Sequence, residues 1–108
     1  MEAKELRIGN LIKFPFNEKP IIVSEAVIKY CFEDNKLYDP IPLTDEWLLK
    51  LGFKLENNAY WNENVSILGL ENDRYIHFDG GRVFIRTVHQ LQNLFFALKG
   101  KELTLKQN

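Results

Sequence analysis

The chain has 108 residues, 45% of them apolar and 13% aromatic, enough to fill one core without a disulfide or a structural metal. Charged residues make up 27% and the net charge is −1, which argues against intrinsic disorder and against the strong positive field of a duplex-DNA binder. Cys31 is the one cysteine, the charged start Met1-Glu2-Ala3-Lys4-Glu5 has no apolar run behind it, and no stretch is long enough to span a bilayer. The expectation is one soluble domain over residues 1–108 in a reducing cytoplasm, with Cys31 a small buried apolar group.

In chain order, Leu6 to Phe14 reads as a strand with Gly9 as a bulge. Pro15 and Pro20 bracket a loop. Ile21–Val23 and Val27–Phe32 then read as strands, with a short helix starting at Ser24 as the alternative. Glu33-Asp34-Asn35-Lys36 has the composition of a turn. Pro40 and Pro42 hold the next segment extended. A helix follows, with Thr44 as N-cap and Asp45 and Glu46 at the positive end of the dipole. Leu43 can staple onto Leu48, and Gly52 can take the left-handed cap that folds Phe53 back.

Tyr60–Trp61, Val65–Leu70, Tyr75–Phe78 and Val83–Arg86 read as a meander of strands, the last pair joined through Gly80-Gly81. With that loop, Phe78 opposes Val83 and Ile76 opposes Ile85. The second helix runs from Thr87 to Lys99, opened by the Thr87/Gln90 capping box and closed by Gly100. Val88, Leu91, Leu94, Phe95 and Leu98 form its core stripe. Residues 101–108 read as a short strand or a loose tail.

Strands grouped apart from helices predict an antiparallel α+β fold. Residues 5–43 would form an N-terminal β meander or a small SH3-like barrel. Residues 44–100 would form a unit of helix, three- to four-stranded antiparallel sheet and helix. Three blocks reinforce these boundaries: Glu5-Leu6-Arg7-Ile8-Gly9-Asn10, Pro40 to Phe53, and Val88 to Leu98. Together they resemble the signature blocks of a family of short uncharacterised proteins from bacterial genomes and phages or prophages. The resemblance implies phage or prophage context and carries no activity.

Motifs for chemistry are sparse. His77, His89 and Cys31 are the only nitrogen and sulfur ligands, and none lies at zinc-ligand spacing, so no metal and no cofactor are expected. Ser24 and Ser66 sit in strand-like segments without a nucleophile elbow. Asp79-Gly80-Gly81-Arg82 lacks the P-loop pattern and a following helix. The adjacent carboxylates Glu33-Asp34 and Asp45-Glu46 carry no acid–base geometry, and the second pair already serves a helix N-terminus.

Two surfaces are more informative. On the second helix, His89, Gln92, Asn93 and Phe96 share a stripe beside the core stripe, amide-rich with one large aromatic. They form a candidate ridge for a protein partner or for self-association, with Phe96 as anchor; the simpler alternative buries Phe96 and bonds the amides to neighbouring loops. On the last hairpin, Tyr75, His77, Arg82, Phe84 and Arg86 share one face, where aromatics interleaved with arginine could stack bases and neutralise phosphate. The simpler alternative there is cover by the N-terminal strands. The first functional reading is therefore a non-catalytic protein–protein interaction module. A single-stranded nucleic-acid binder, disfavoured by net charge, is second, and an enzyme whose site is assembled only in the fold is third.

Overall fold

The computed structural model describes residues 6–13, 19–33, 39–69, 73–78, 80–103 and 105. Their elements in chain order are β1 (Leu11–Lys13), β2 (Ile21–Ile22), α1 (Glu25–Glu33), β3 (Asp39–Pro40), α2 (Asp45–Lys50), β4 (Lys54–Glu56), β5 (Ala59–Asn62), β6 (Val65–Ile67), β7 (Tyr75–Phe78), β8 (Gly81–Phe84) and α3 (Val88–Lys99). Three small antiparallel sheets and three helices make an α+β fold. The turn expected at Glu33–Lys36, the buried role of Cys31, Leu70 and the end of the tail lie wholly or partly outside the described residues.

Local chemistry sets the ends of α2 and α3. Thr44 Oγ1 accepts from Trp47 N–H, while Gly52 N–H and Phe53 N–H donate back to the carbonyls of Leu49 and Leu48. Gly52, at φ 89°, makes that reversal possible. Both halves of the Thr87/Gln90 capping box are formed, and Gly100 closes α3 in the left-handed region. Thr44→Ala and Thr87→Ala are each expected to lower stability by about 1 kcal/mol in chemical denaturation. No change in either variant would contradict these cap assignments.

The N-terminal half departs from the expected meander. Val27–Phe32 is helix, not strand: Val27 N–H reaches Ser24 Oγ, and Ile28 N–H donates to the Ser24 carbonyl. Its apolar residues do not alternate strictly, and Val27, buried in the N-terminal cluster, belongs to one helical face. Among the described residues the strands around it form a three-stranded sheet, β2-β1-β3, in place of the expected meander or small barrel. Of the strand expected over Leu6–Phe14, residues 6–10 are not strand and β1 begins at Leu11, while Phe14 and Pro15 lie outside the described residues. Before β1, Gly9 at φ 96° turns the chain, so that Gly9 N–H and Asn10 C=O both bond to Val23.

Among the described residues five strands, not three or four, lie between α2 and α3. The extra one, β4, pairs with β5 across Asn57 and Asn58, both at positive φ. β4-β5-β6 form one sheet, and a bridge between Leu68 and Tyr75 joins it to the β7-β8 hairpin. That hairpin pairs Phe78 with Gly81, Ile76 with Val83 and Tyr75 with Phe84. The register differs from the expected one by two residues, an even slip that leaves Ile76 and Val83 on one face and Tyr75, His77, Arg82 and Phe84 on the other, as predicted.

The main core gathers Leu48, Leu51, Phe53, Tyr60, Ile67, Ile76, Ile85 and the α3 residues Val88, Leu91 and Phe95. Leu103 packs into it as well, so the start of the tail is fastened. β1 alternates between two cores, with Leu11 in the main one and Ile12 in the N-terminal cluster with Leu6, Val23 and Val27. At the edge of the main core, Arg74 is only 4% exposed, ion-paired with Asp45 and lying over the Tyr60 ring.

Burial, with a hydrogen bond and negative charge from Asp45, pushes the Tyr60 phenol above its ordinary 10.0, and Arg74 opposes this in part. A raised folded value favours the protonated phenol. Its contribution is complete below pH 10.0 and is lost as pH rises through the folded value. Tyr60→Phe should therefore flatten the alkaline limb of a stability–pH curve, and an unchanged limb would dismiss the coupling.

Candidate interaction surface

The helical stripe is divided by the fold. His89 is buried, its Nδ1 3.2 Å from Thr87 Oγ1. Gln92, also buried, accepts from Leu11 N–H through Oε1 at 2.8 Å and donates from Nε2 to the Gly9 carbonyl at 3.2 Å. Asn93 Oδ1 accepts from Arg7 Nε at 2.7 Å and from Asn10 Nδ2 at 2.8 Å. Arg7 continues to Glu102 Oε1 at 2.6 Å and lies over the Phe96 ring, 4.5 Å from its centroid. The amides thus clamp residues 7–11 onto α3. Of the four ridge residues, His89 and Gln92 are unavailable to a partner because both are buried, and backbone groups of the chain itself need Gln92. Phe96 keeps 41% of its surface exposed beside Arg7.

The hairpin face is open. Phe84 is 52% exposed, and His77, Arg82 and Arg86 are exposed as well. Tyr75 is half-buried by its own neighbours: the Phe84 ring centroid lies 6.0 Å away, the His77 ring 5.3 Å, and the Arg82 guanidinium 4.8 Å. The side-chain pairs expected from period-two alternation are therefore together on one surface. Cover of Phe84 by the N-terminal strands, the simpler expectation, does not occur.

A groove of about 340 Å³ runs beside this face, lined by Val83, Phe84 and Ile85 of the hairpin and by His89, Gln90, Asn93 and Leu94 of α3. Three consecutive residues touch it, the last two of β8 and Ile85 just beyond. Neighbouring side chains on a strand point to opposite faces, so the groove follows the strand edge rather than either face. Sequence alone does not disclose it, because its two walls come from different elements. The signal that was available was amide-rich spacing next to an apolar stripe, which marks buried hydrogen bonding as readily as a contact ridge.

No protein-family model matches the chain, and neither a curated protein nor a solved structure matches it. The site is therefore read from its own chemistry. Among the described residues, no group of three or more histidine, cysteine, aspartate or glutamate side chains could hold a metal ion, and no helix is long and apolar enough to cross a membrane.

Proposed function

We propose that this chain is a non-catalytic protein–protein interaction module, with the β8 edge, its groove and Phe84 as the contact surface. The observation that carries the reading is Phe84, a large aromatic more than half exposed at the lip of a groove whose α3 wall includes Leu94. Exposed aromatics next to an apolar pocket supply most of the energy of small interfaces. A cytoplasmic location and a phage or prophage context belong to the same proposal, motivated by the single cysteine and by the three sequence blocks.

Affinity capture with the tagged chain tests it. Phe84→Ala should keep the wild-type melting temperature while capture of any specific partner falls by about tenfold or more. Retention of the partner by Phe84→Ala would move the contact elsewhere, with Phe96→Ala as the next variant.

A second reading, single-stranded nucleic-acid binding, is favoured by the open cluster of Tyr75, His77, Arg82, Phe84 and Arg86. It predicts an anisotropy shift with a fluorescent oligouridine that weakens steeply with salt. Absence of a shift at low salt would remove it. Catalysis from a site assembled in the fold is the third reading, and no geometry described above favours it.

A further inference from the structure

β8 is open along two residues of its outer edge. Ile85 N–H donates to the Arg74 carbonyl, and Tyr75 exchanges both its backbone bonds with Leu68 on the other side of β7. The alternation of an antiparallel ladder therefore turns the backbone groups of Gly81 and Val83 toward β7 and those of Arg82 and Phe84 outward. Past this point the edge is closed. The Arg86 carbonyl accepts from Leu43, and Arg86 N–H donates to Gln90 Oε1 at 2.9 Å. Among the described residues, nothing takes the outward groups of Arg82 and Phe84. An edge of this kind, carrying valine and phenylalanine without lysine or proline, is a template for one more strand.

We propose that a second copy of this chain supplies the strand, through antiparallel β8–β8 pairing about a twofold axis at Val83. This rests on the protein-contact reading above and names its partner. Twofold pairing must bring outward-facing residues against outward-facing residues. Centred on Val83, Arg82 of each copy faces Phe84 of the other, giving two hydrogen-bonded pairs that each exchange both N–H···O bonds. Each guanidinium also meets an aromatic ring.

The two adjacent registers fail on charge. Centred on Arg82, two guanidiniums oppose each other directly, which is destabilising. Centred on Phe84, Arg82 would face Arg86, whose carbonyl Leu43 already occupies. The run Arg82-Val83-Phe84 is thus complementary to itself in one register. In that register the tip of each hairpin brings Gly80 and Gly81, which have no side chains, beside Ile85 and Arg86 of the other copy. Tyr75, already under Arg82 and edge-on to Phe84, extends the aromatic surface on both sides. So short a pairing makes a small interface, with a dissociation constant on the order of micromolar or weaker.

Val83 is the residue that meets itself, in a non-hydrogen-bonded pair where side chains come closest. This gives a test that depends on the axis. Sedimentation equilibrium across the micromolar to millimolar range should show a reversible wild-type dimer. Val83→Glu and Val83→Lys, each confirmed folded by circular dichroism and thermal melting, should each weaken it roughly tenfold or more, because like charges then face each other. An equimolar mixture of the two variants should regain the dimer, since glutamate then meets lysine. A wild type that is monomeric throughout overturns self-pairing, whether or not it shifts an oligonucleotide. So does a mixture that stays monomeric while the wild type dimerises. Neither result touches the broader reading, since capture of a different protein by the wild type, lost in Phe84→Ala, would uphold it with another partner.

Discussion

Phe95→Ala is expected to lower the stability of the fold by about 3–5 kcal/mol, whereas Phe96→Ala, one position along, lowers it by no more than about 1 kcal/mol. The two rings differ in what surrounds them. Phe95 is 1% exposed and meets Phe53 edge-on, with centroids 6.3 Å apart, in the centre of the main core. Its removal leaves a cavity that β5, β6 and α2 can close only in part. Phe96 faces outward beneath the Arg7 guanidinium, which lies over its ring. Urea denaturation of the two variants side by side checks the contrast. Equal losses would mean that α3 is rotated from the position described above.

The second large effect belongs to a polar residue. Gln92→Ala is expected to lower stability by about 1–3 kcal/mol, because it strands Leu11 N–H and the Gly9 carbonyl together. Gln92 is 3% exposed and uses both ends of its amide, so water cannot easily replace it. Gln92→Glu should be no better, since a carboxylate cannot donate to the Gly9 carbonyl and would place a charge in a buried site. Amide hydrogen exchange gives the sharper readout. The Leu11 N–H should lose protection in Gln92→Ala, and retained protection there would show that another group holds the segment.

These expectations also show where sequence sufficed. The ends of α2 and α3 were legible because each is decided within a few residues, by Thr44 and Gly52 in one case and by Thr87, Gln90 and Gly100 in the other. The contents of the hairpin face were legible for a similar reason. Alternation fixes which side chains share a face, and a slip of two residues does not alter it.

α1 matches the alternative of a short helix starting at Ser24 rather than the strand: Val27 and Ile28 favour extended structure locally, but the cap at Ser24 and packing against Ile12 and Val23 override them. β4 was missed because Lys54-Leu55-Glu56 is exposed along its length and holds a single apolar residue, too short a run to mark a strand. Its clue lay in Asn57-Asn58, whose side chains tolerate the left-handed turn that starts the hairpin. The fate of Gln92 and Asn93 could not be read from their neighbours at all. What they bond lies 81 to 86 positions earlier in the chain.

That separation has a consequence for the order in which the protein can be made. Asn10 and Val23 can find each other early, since their pairing closes a short loop. The Leu11 amide must wait for Gln92, and Arg7 for Asn93 and Glu102. On a ribosome residues 7–11 therefore emerge well before α3 and are completed only once it has followed, with the Leu11 amide solvated until then. Contacts of this span slow folding, because the closure entropy is spent before any of the bonds form. A nascent chain halted before α3 should hold its N-terminal sheet only loosely, and release of the helix then acts as the fastening step for the opposite end of the molecule.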